Sequence, residues 1–291
     1  MNLIVDMNNA FYKSYFIYKL MYKDQEKINE KLLFNKFSID LAYTLRSFSE
    51  RTRISRVILC YDDKDNFRKR LNKEYKSNRT KQEESFYNVL NYSKKFFKEL
   101  GFIVSQVKDL EADDLLLLWG REFQGDINCI ISADEDPRQG LNDNTFFYNN
   151  KSKDKRFYFF SQYSRNHLDF VLFQNSQIFF EDPNWIVFKK MVLGCSGDNV
   201  KNLIVGKCGE NKLKEKIFNN LSFNKDNVTY VSLENIVELI NKTLKQNLKA
   251  SDLLSNFSLI DLSGNSENDL WKNHKDENKD KFLYKGNYEF V

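Results

Sequence analysis

The stretch Ile127-Asn128-Cys129-Ile130-Ile131-Ser132-Ala133-Asp134-Glu135-Asp136 is a short β-prone apolar run that breaks abruptly into acids. A run of that length, bounded by a turn, predicts a buried strand, and residues just past its end project from the carboxyl edge of a parallel sheet, where α/β proteins place their sites. The same construction recurs upstream. Leu3-Ile4-Val5 ends in Asp6, Val57-Ile58-Leu59-Cys60-Tyr61 ends in Asp62, and Glu111, Asp113 and Asp114 precede the apolar helix start Leu115 to Trp119. Strand-end acids at three separate strands are hard to explain by local propensity. Two carboxylates about 5 Å apart repel by roughly 3 kcal/mol at an effective dielectric of ~20. Such a cluster must take up protons or hold cations, and all-oxygen donors suit hard Mg²⁺ or Mn²⁺. Singly, each acid is no more than a turn former or a helix N-terminal acid.

Working outward, Asn8 to Lys23 predicts a helix with an aromatic inner face, and Leu33, Phe37, Leu41 and Leu45 predict a second over Leu32 to Phe48. Asp62 to Gly101 holds no strand pattern: charge comes first, then a helical stretch with Phe86, Leu90, Phe96, Phe97 and Leu100. A short strand over Phe102 to Val107 and a helix over Glu111 to Phe123 complete an alternating α/β half. Asn144 to Tyr148 and Arg156 to Phe160 predict a hairpin, Phe170 to Phe180 fits strand or helix, and Pro183 suits a helix beginning near Asn184. From about residue 182 the pattern is helical, so a domain boundary is expected there. Gly194, Gly197, Gly206 and Gly209 punctuate short helices whose turn can present backbone groups to a phosphate. Ser263 to Lys281 is polar and reads as a mobile tail.

Composition narrows the chemistry. The chain has 291 residues, 41% hydrophobic and 30% charged, with net charge +4, enough for a proper core in one large or two small domains. No apolar run approaches the ~20 residues needed to cross a bilayer. Met1 leads straight into a strand with no signal peptide pattern, so a cytoplasmic protein without membrane association is expected. Cys60, Cys129, Cys195 and Cys208 form no C-x-x-C pair and predict reduced thiols over a zinc site. Only His167 and His274 are present, too far apart in sequence for a histidine-based centre. Carboxylates, lysine and metal are left to carry any reaction.

The stretch Phe67-Arg68-Lys69-Arg70-Leu71-Asn72-Lys73-Glu74-Tyr75-Lys76-Ser77-Asn78-Arg79 is basic. It reads either as a solvated face or as a phosphate-binding stripe with Lys76 and Arg79 at three-residue spacing and Tyr75 offered to a base. An acidic site beside a basic stripe is what a phosphodiester substrate needs.

The ordered set Leu-Ile-Val-Asp6; Asp62 with Phe67-Arg68 and Tyr75-Lys76-x-x-Arg79; Glu111-Ala-Asp-Asp114; Ser132-x-Asp-x-Asp136; and Gly197-Asp198-Asn199-Val200 resembles the flap endonucleases and 5′-nucleases over roughly residues 1 to 262. The compact bacteriophage enzymes called ribonuclease H are the most similar, and Asn256 to Leu262 is similar to their late helical segment. The resemblance implies an α/β fold: a PIN-like Rossmann-type parallel sheet with a helical arch over about 64–100, within a catalytic domain of residues 1–181. A mainly helical region with a helix-three-turn-helix follows over 182–291. It implies two Mg²⁺ ions, replaceable by Mn²⁺: Asp6, Asp62, Glu111, Asp113, Asp114 and Asp134 around the first, Asp136 and Asp198 at the second. Lys76 and Arg79 match the residues that meet the scissile phosphate. The basic residues Arg68, Lys69, Arg70, Lys73 and Tyr75 are expected to touch DNA, as are Gly197, Asn199, Lys201, Gly206, Lys207, Gly209 and Lys212 of the duplex-binding turn, which in the family can hold a monovalent cation.

The implied reaction is hydrolysis near a 5′ end, as a 5′ to 3′ exonuclease, a flap endonuclease or an RNase H-type remover of RNA primers in DNA replication. The implied partners are DNA and RNA/DNA duplexes with 5′ ends or flaps. A monomer is expected, in the host cytoplasm if a phage encodes it. Phe282 to Val291 reads as a packed or frayed terminus, or as a docking segment for a replication clamp or single-strand-binding protein. Three departures stand out. Cys195 occupies the position where the family usually has the first aspartate of Gly-Asp-x-x-Asp-Asn, Gly206-Lys207-Cys208-Gly209 breaks the usual glycine spacing, and Pro137-Arg138 follows Asp136. Two alternatives remain: a structure-specific DNA-binding protein with weakened turnover, motivated by Cys195, and a haloacid-dehalogenase-type phosphatase on Asp6-Met7-Asn8, where Asn8 lacks the second carboxylate such enzymes use.

Overall fold

The computed structural model describes residues 1–24, 27–149, 155–167, 173, 175–206, 208–221, 232–263, 266 and 268–281. The chain forms two compact units. The first comprises Met1–Asp65, Lys81–Glu181 and the segment from Leu262 on; the second comprises Asn66–Thr80 and Asp182–Asp261.

The first unit is built on β1 (Asn2–Asp6), β2 (Arg56–Cys60), β3 (Ile103–Ser105), β4 (Asn128–Ser132), β5 (Thr145–Asn149), β6 (Arg156–Phe159) and β7 (Gln177–Phe180). They form one sheet in the order β3-β2-β1-β4-β5-β6-β7. The first five run parallel, β6 is antiparallel to β5, and β7 is parallel to β6. Strand β1, all of it buried, sits between β2 and β4, so the winding direction reverses at the β1–β4 pair. That is the switch point where a parallel sheet opens a crevice at its carboxyl edge.

Helices α1 (Met7–Met21), α2 (Glu30–Ser49) and α4 (Glu84–Glu99) pack together, α1 against β1 and β2 and α4 against β3; α3 (Phe67–Leu71) belongs to the second unit. Apolar positions three and four residues apart give each a buried stripe: Phe11, Tyr15 and Tyr18; Leu33, Phe37, Leu41 and Leu45; Phe86, Val89, Leu90 and Phe97. Phe11 sits 4.9 Å from Phe37 and 4.7 Å from Phe86, both edge-on, contacts worth about 1 kcal/mol each beyond their buried area. The helical arch expected over 64–100 therefore divides. Its second half is α4, whose aromatic face is spent on the sheet core, and its first half joins the other unit.

Helix α5 (Ala112–Glu122) is buried along almost its whole length, and the short α6 (Gln162–His167) follows β6. The mobile tail expected over 263–281 is corrected by α11 (Asp269–Asn278), capped by the Asn268 side chain on the Leu270 and Trp271 N–H groups. Trp271 meets Trp119 of α5 edge-on at 5.0 Å, and Lys275 pairs with Glu122 at 3.3 Å. One buried tryptophan in a polar helix holds the segment on the first unit, so the expected 182–291 region ends at Asp261. Phe282 to Val291 lies outside the described residues.

The second unit has α7 (Pro183–Leu193), α8 (Glu210–Lys216), α9 (Leu233–Leu244) and α10 (Ala250–Ile260) around a core that includes Trp185, Phe188, Leu213, Ile236, Ile240 and Leu253. Pro183 occupies the first turn of α7, and the Asp182 side chain caps it through the Asn184 N–H. Helix α7 ends at Gly194, which has φ +69°. A Cβ there would lie 2.4 Å from the Val200 carbonyl oxygen, so no other residue fits. Beyond it, Cys195 and Val200 exchange backbone hydrogen bonds of 3.0 and 2.9 Å, closing a tight turn.

Candidate active site

Asp6 is the last residue of β1 and also caps α1, accepting the Asn9 N–H at 2.9 Å. Its other oxygen accepts the Ser132 hydroxyl at 2.8 Å, which ties the ends of β1 and β4 together. The same hydroxyl accepts the Asp134 N–H at 3.1 Å, and Asn9 Oδ1 accepts the Ala133 N–H at 3.1 Å. Asp62, two residues beyond β2, is gripped from both sides. Asn8 Nδ2 donates to one carboxylate oxygen at 2.8 Å while Asn8 Oδ1 accepts the Asp62 N–H at 3.0 Å. The Ala112 N–H, at the start of α5, donates to the other at 2.8 Å, so the positive end of that helix supports the charge.

These acids feel one another. Asp6 is only 5% exposed. Burial first, then the negative fields of Asp62 and Asp134, push its carboxyl up to about 7, against the lowering pull of the Asn9 N–H and the Ser132 hydroxyl. Below it, burial raises the Cys60 thiol well above its ordinary range, with the fields of Asp6 and Asp113 adding to the effect. Asp6, at the end of β1, thus lies in the field of Asp62 and Asp134, and Cys60, at the end of β2, in that of Asp6 and Asp113.

Two of the other expected ligands also hold the start of α5. Glu111 and Asp114 form a reciprocal capping box at the start of α5, with the Glu111 N–H donating to Asp114 Oδ2 at 2.9 Å. Asp114 is fully buried and its carboxylate holds the helix start. Asp136 opens the short helical turn Asp136–Gly140 after β4 in the first unit, whereas Asp198 lies in the second. Among the described residues, no three histidine, cysteine, aspartate or glutamate side chains converge into a ready-made metal centre. The oxygen donors and the buried, charge-strained Asp6 are of the chemistry that suits a hard divalent cation. Asn8, Asn9 and Ser132 went unassigned in the sequence, although the doublet Asn8-Asn9 after a strand-end aspartate is a visible signal for local side-chain bonding.

The basic segment is built into the second unit. Arg68 is fully buried, donating from Nε to the Leu259 carbonyl at 2.8 Å and from Nη2 to the Asp261 carbonyl at 3.1 Å. It closes the carboxyl end of α10 and is not a DNA contact. Tyr75 is 5% exposed and part of the unit's core, so it offers no face to a base. Lys69, Arg70, Lys73 and Arg79 are exposed and Lys76 half-buried. Gly197, Asn199, Lys201, Gly206, Gly209 and Lys212 lie at the surface; Lys207 lies outside the described residues. Asp198 is buried in the second unit. Its Oδ1 accepts from Arg79 Nη2 at 2.6 Å, and the Cys195 sulfur lies 3.8 Å from its Oδ2.

The sheet reverses its winding at β1–β4, and Asp6 and Asp134 follow the carboxyl ends of those strands, where folds of this kind place their sites. Residues 1–166 match the family described as 5′-3′ exonuclease, N-terminal resolvase-like domain, and the chain belongs to that family. A 5′-3′ exonuclease of Buchnera aphidicola subsp. Schizaphis graminum is 28% identical over 146 residues, 49% of this chain and 49% of that protein. The match therefore spans about half of that relative's length. One of Mycoplasmopsis pulmonis is 25% identical over 254 residues, 85% of this chain and 74% of that one. Among solved structures, a bacteriophage T5 protein co-crystallised with metal ions aligns with TM-score 0.61 at 19% identity, over 95% of this chain and 98% of that one. The phage T5 flap endonuclease in a pseudo-enzyme–product complex with DNA and metal ions aligns with TM-score 0.58 at 21% identity, over 95% and 97%. At these identities the structural likeness speaks for the fold.

Proposed function

We propose that the chain is a divalent-metal-dependent 5′-nuclease, hydrolysing phosphodiesters near the 5′ ends of DNA or RNA/DNA duplexes, with removal of flaps or primers during DNA replication as its setting. The observation that supports the reading is the buried Asp6 at the carboxyl end of β1, joined through the Ser132 hydroxyl to the Asp134 N–H and pushed up to about 7 by burial and by the fields of Asp62 and Asp134. Such an arrangement costs stability unless a cation relieves it. In a family of exonucleases, whose phage T5 structural neighbour is seen with DNA and metal ions, a divalent ion is the fitting occupant.

Asp6, Asp62 and Asp134 would hold the ion, with Asp113 and Glu111 adding negative field from the start of α5. An ion held there would supply a more acidic water and Lewis-acid support for the departing 3′ oxygen. Asn8 and Ser132 keep the carboxylates aimed, so that little reorganisation is left for the reaction itself. Exposed Arg79 and half-buried Lys76 of the second unit are assigned to backbone phosphate, with Lys69, Arg70 and Lys73 as further phosphate contacts and the surface turn around Gly197, Asn199 and Lys201 as a duplex contact. Asn8, held on Asp62 through both its amide atoms, has no role as an acid, which disfavours the phosphatase alternative.

The test is a 5′-labelled flap and an RNA–DNA hybrid incubated with Mg²⁺. Cleavage that vanishes in Asp134→Ala while flap binding stays near normal is expected. Tight binding without cleavage by the unaltered chain would replace the nuclease reading with the DNA-binding one.

A further inference from the structure

We propose that Asp198 is a positioning residue for Arg79 and Lys76 rather than a ligand to a second metal ion. The proposal rests on the nuclease reading above only for what the two cations contact. The observation behind it is an interlock between residues 74–79 and the turn 195–200, both within the second unit. Arg79 Nη2 donates to Asp198 Oδ1 at 2.6 Å, and the Lys76 N–H donates to the Asp198 carbonyl at 3.0 Å. Asn78 Nδ2 donates to the Ser196 carbonyl at 2.8 Å, and Asn199 Nδ2 returns a bond to the Glu74 carbonyl at 3.0 Å. Tyr75, between these contacts, is sunk in the core.

Three features make the interlock a device for aiming charge. Lys76 has φ +54°, a left-handed backbone that a lysine keeps only where its surroundings over-determine it. The bond from its own N–H to Asp198 is one such determinant. Asp198 is 9% exposed, whereas the Arg79 side chain is 53% exposed, so a sheltered anion holds an exposed cation. The anion is itself fixed, because the turn carrying it is closed by the mutual Cys195 and Val200 hydrogen bonds and by Gly194. A phosphate then meets a side chain already ordered, and the entropy of ordering it is not charged to binding or to the transition state. The neighbouring Cys195 offers sulfur where a hard ion prefers oxygen, so the turn lacks a second oxygen ligand from that position as well.

The experiment compares the full-length chain with Asp198→Ala, Asp198→Asn, Arg79→Ala and Arg79→Ala/Asp198→Ala. Hydrogen exchange by mass spectrometry is expected to quicken over residues 74–79 in Asp198→Ala. Asp198→Asn, which keeps an acceptor for Arg79 but is a poor ligand for a hard ion, is expected to restore slow exchange. The number of Mn²⁺ ions bound, counted by electron paramagnetic resonance, is expected to be the same in all variants. Flap cleavage should fall about tenfold in Asp198→Ala, in kcat more than in KM, and by less than about twofold when the change is added to Arg79→Ala, because a residue acting through Arg79 has nothing to add once Arg79 is gone. Unchanged exchange, loss of a Mn²⁺ ion, or additive losses in the double variant would each overturn the proposal. An unaltered chain that fails to cut would sink the nuclease reading instead, with the exchange and Mn²⁺ counts still deciding the role of Asp198.

Discussion

Replacing Asp6 by asparagine should make the metal-free protein more stable while destroying its activity. The Asp6 carboxyl is raised from an ordinary 3.8 to about 7. A group whose folded pKa is raised gives its full stability below the unfolded value and loses it as pH climbs through the folded one. From pH 4 to above 7 the ionised Asp6 therefore accumulates a cost of roughly three pKa units, on the order of 4 kcal/mol. Asparagine carries no charge to bury, caps α1 as well as aspartate does, and leaves a partner for the Ser132 hydroxyl, which can turn to accept from the amide. At pH 8 in EDTA, thermal unfolding followed by circular dichroism should place Asp6→Asn above the unaltered chain by on the order of 5–10 °C. The gap should shrink at pH 5 and close when Mn²⁺ is added, because the ion relieves the same repulsion in the unaltered chain. A variant no more stable than the parent at pH 8, or a gap that ignores pH and metal, would refute the argument that Asp6 is held under charge strain.

Arg68→Ala should cost about 3 kcal/mol in urea unfolding, since it removes a fully buried guanidinium and with it a buried bond to the Leu259 carbonyl and a part-buried one to the Asp261 carbonyl; the salt dependence of DNA binding in the folded fraction should be unchanged, and a shallower slope would return Arg68 to the DNA surface. His274, whose ring nitrogen lies 3.1 Å from the Ser105 hydroxyl beneath α11, has its pKa lowered by burial. The unfolded chain therefore binds the proton first as pH falls, and melting temperature should drop below about pH 6.5. That acid sensitivity should be weaker in His274→Asn; an identical acid limb would exclude His274 as its source.

The acidic edge was legible because strands are short, β-prone and end in turns, so Asp6, Asp62 and Asp134 fall where the apolar runs stop. Their supports were not, since nothing in a sequence says which strand end Asn8 or Ser132 will meet. Arg68 and Tyr75 misled for a different reason. Within a basic helical run, a guanidinium that closes another helix, nearly two hundred residues on, has the same spacing as one that binds phosphate. The second unit's use of Asn66–Thr80 was hidden likewise, because chain order carries no trace of a segment leaving the fold around it. Helix α11 was lost to its polarity, as one tryptophan in ten residues makes no periodic stripe yet suffices to dock it on Trp119. Asp198 lay within a motif whose customary ligand reading obscured the cation three residues after Lys76.

The most direct test is anomalous diffraction from crystals of the full-length chain soaked in Mn²⁺. A peak coordinated by the carboxylates of Asp6, Asp62 and Asp134, directly at about 2 Å or through ordered water, and lost in Asp6→Asn, is the predicted result. Manganese found only away from the carboxyl edge of β1, β2 and β4, or none at all at a concentration that supports cleavage, would contradict the account.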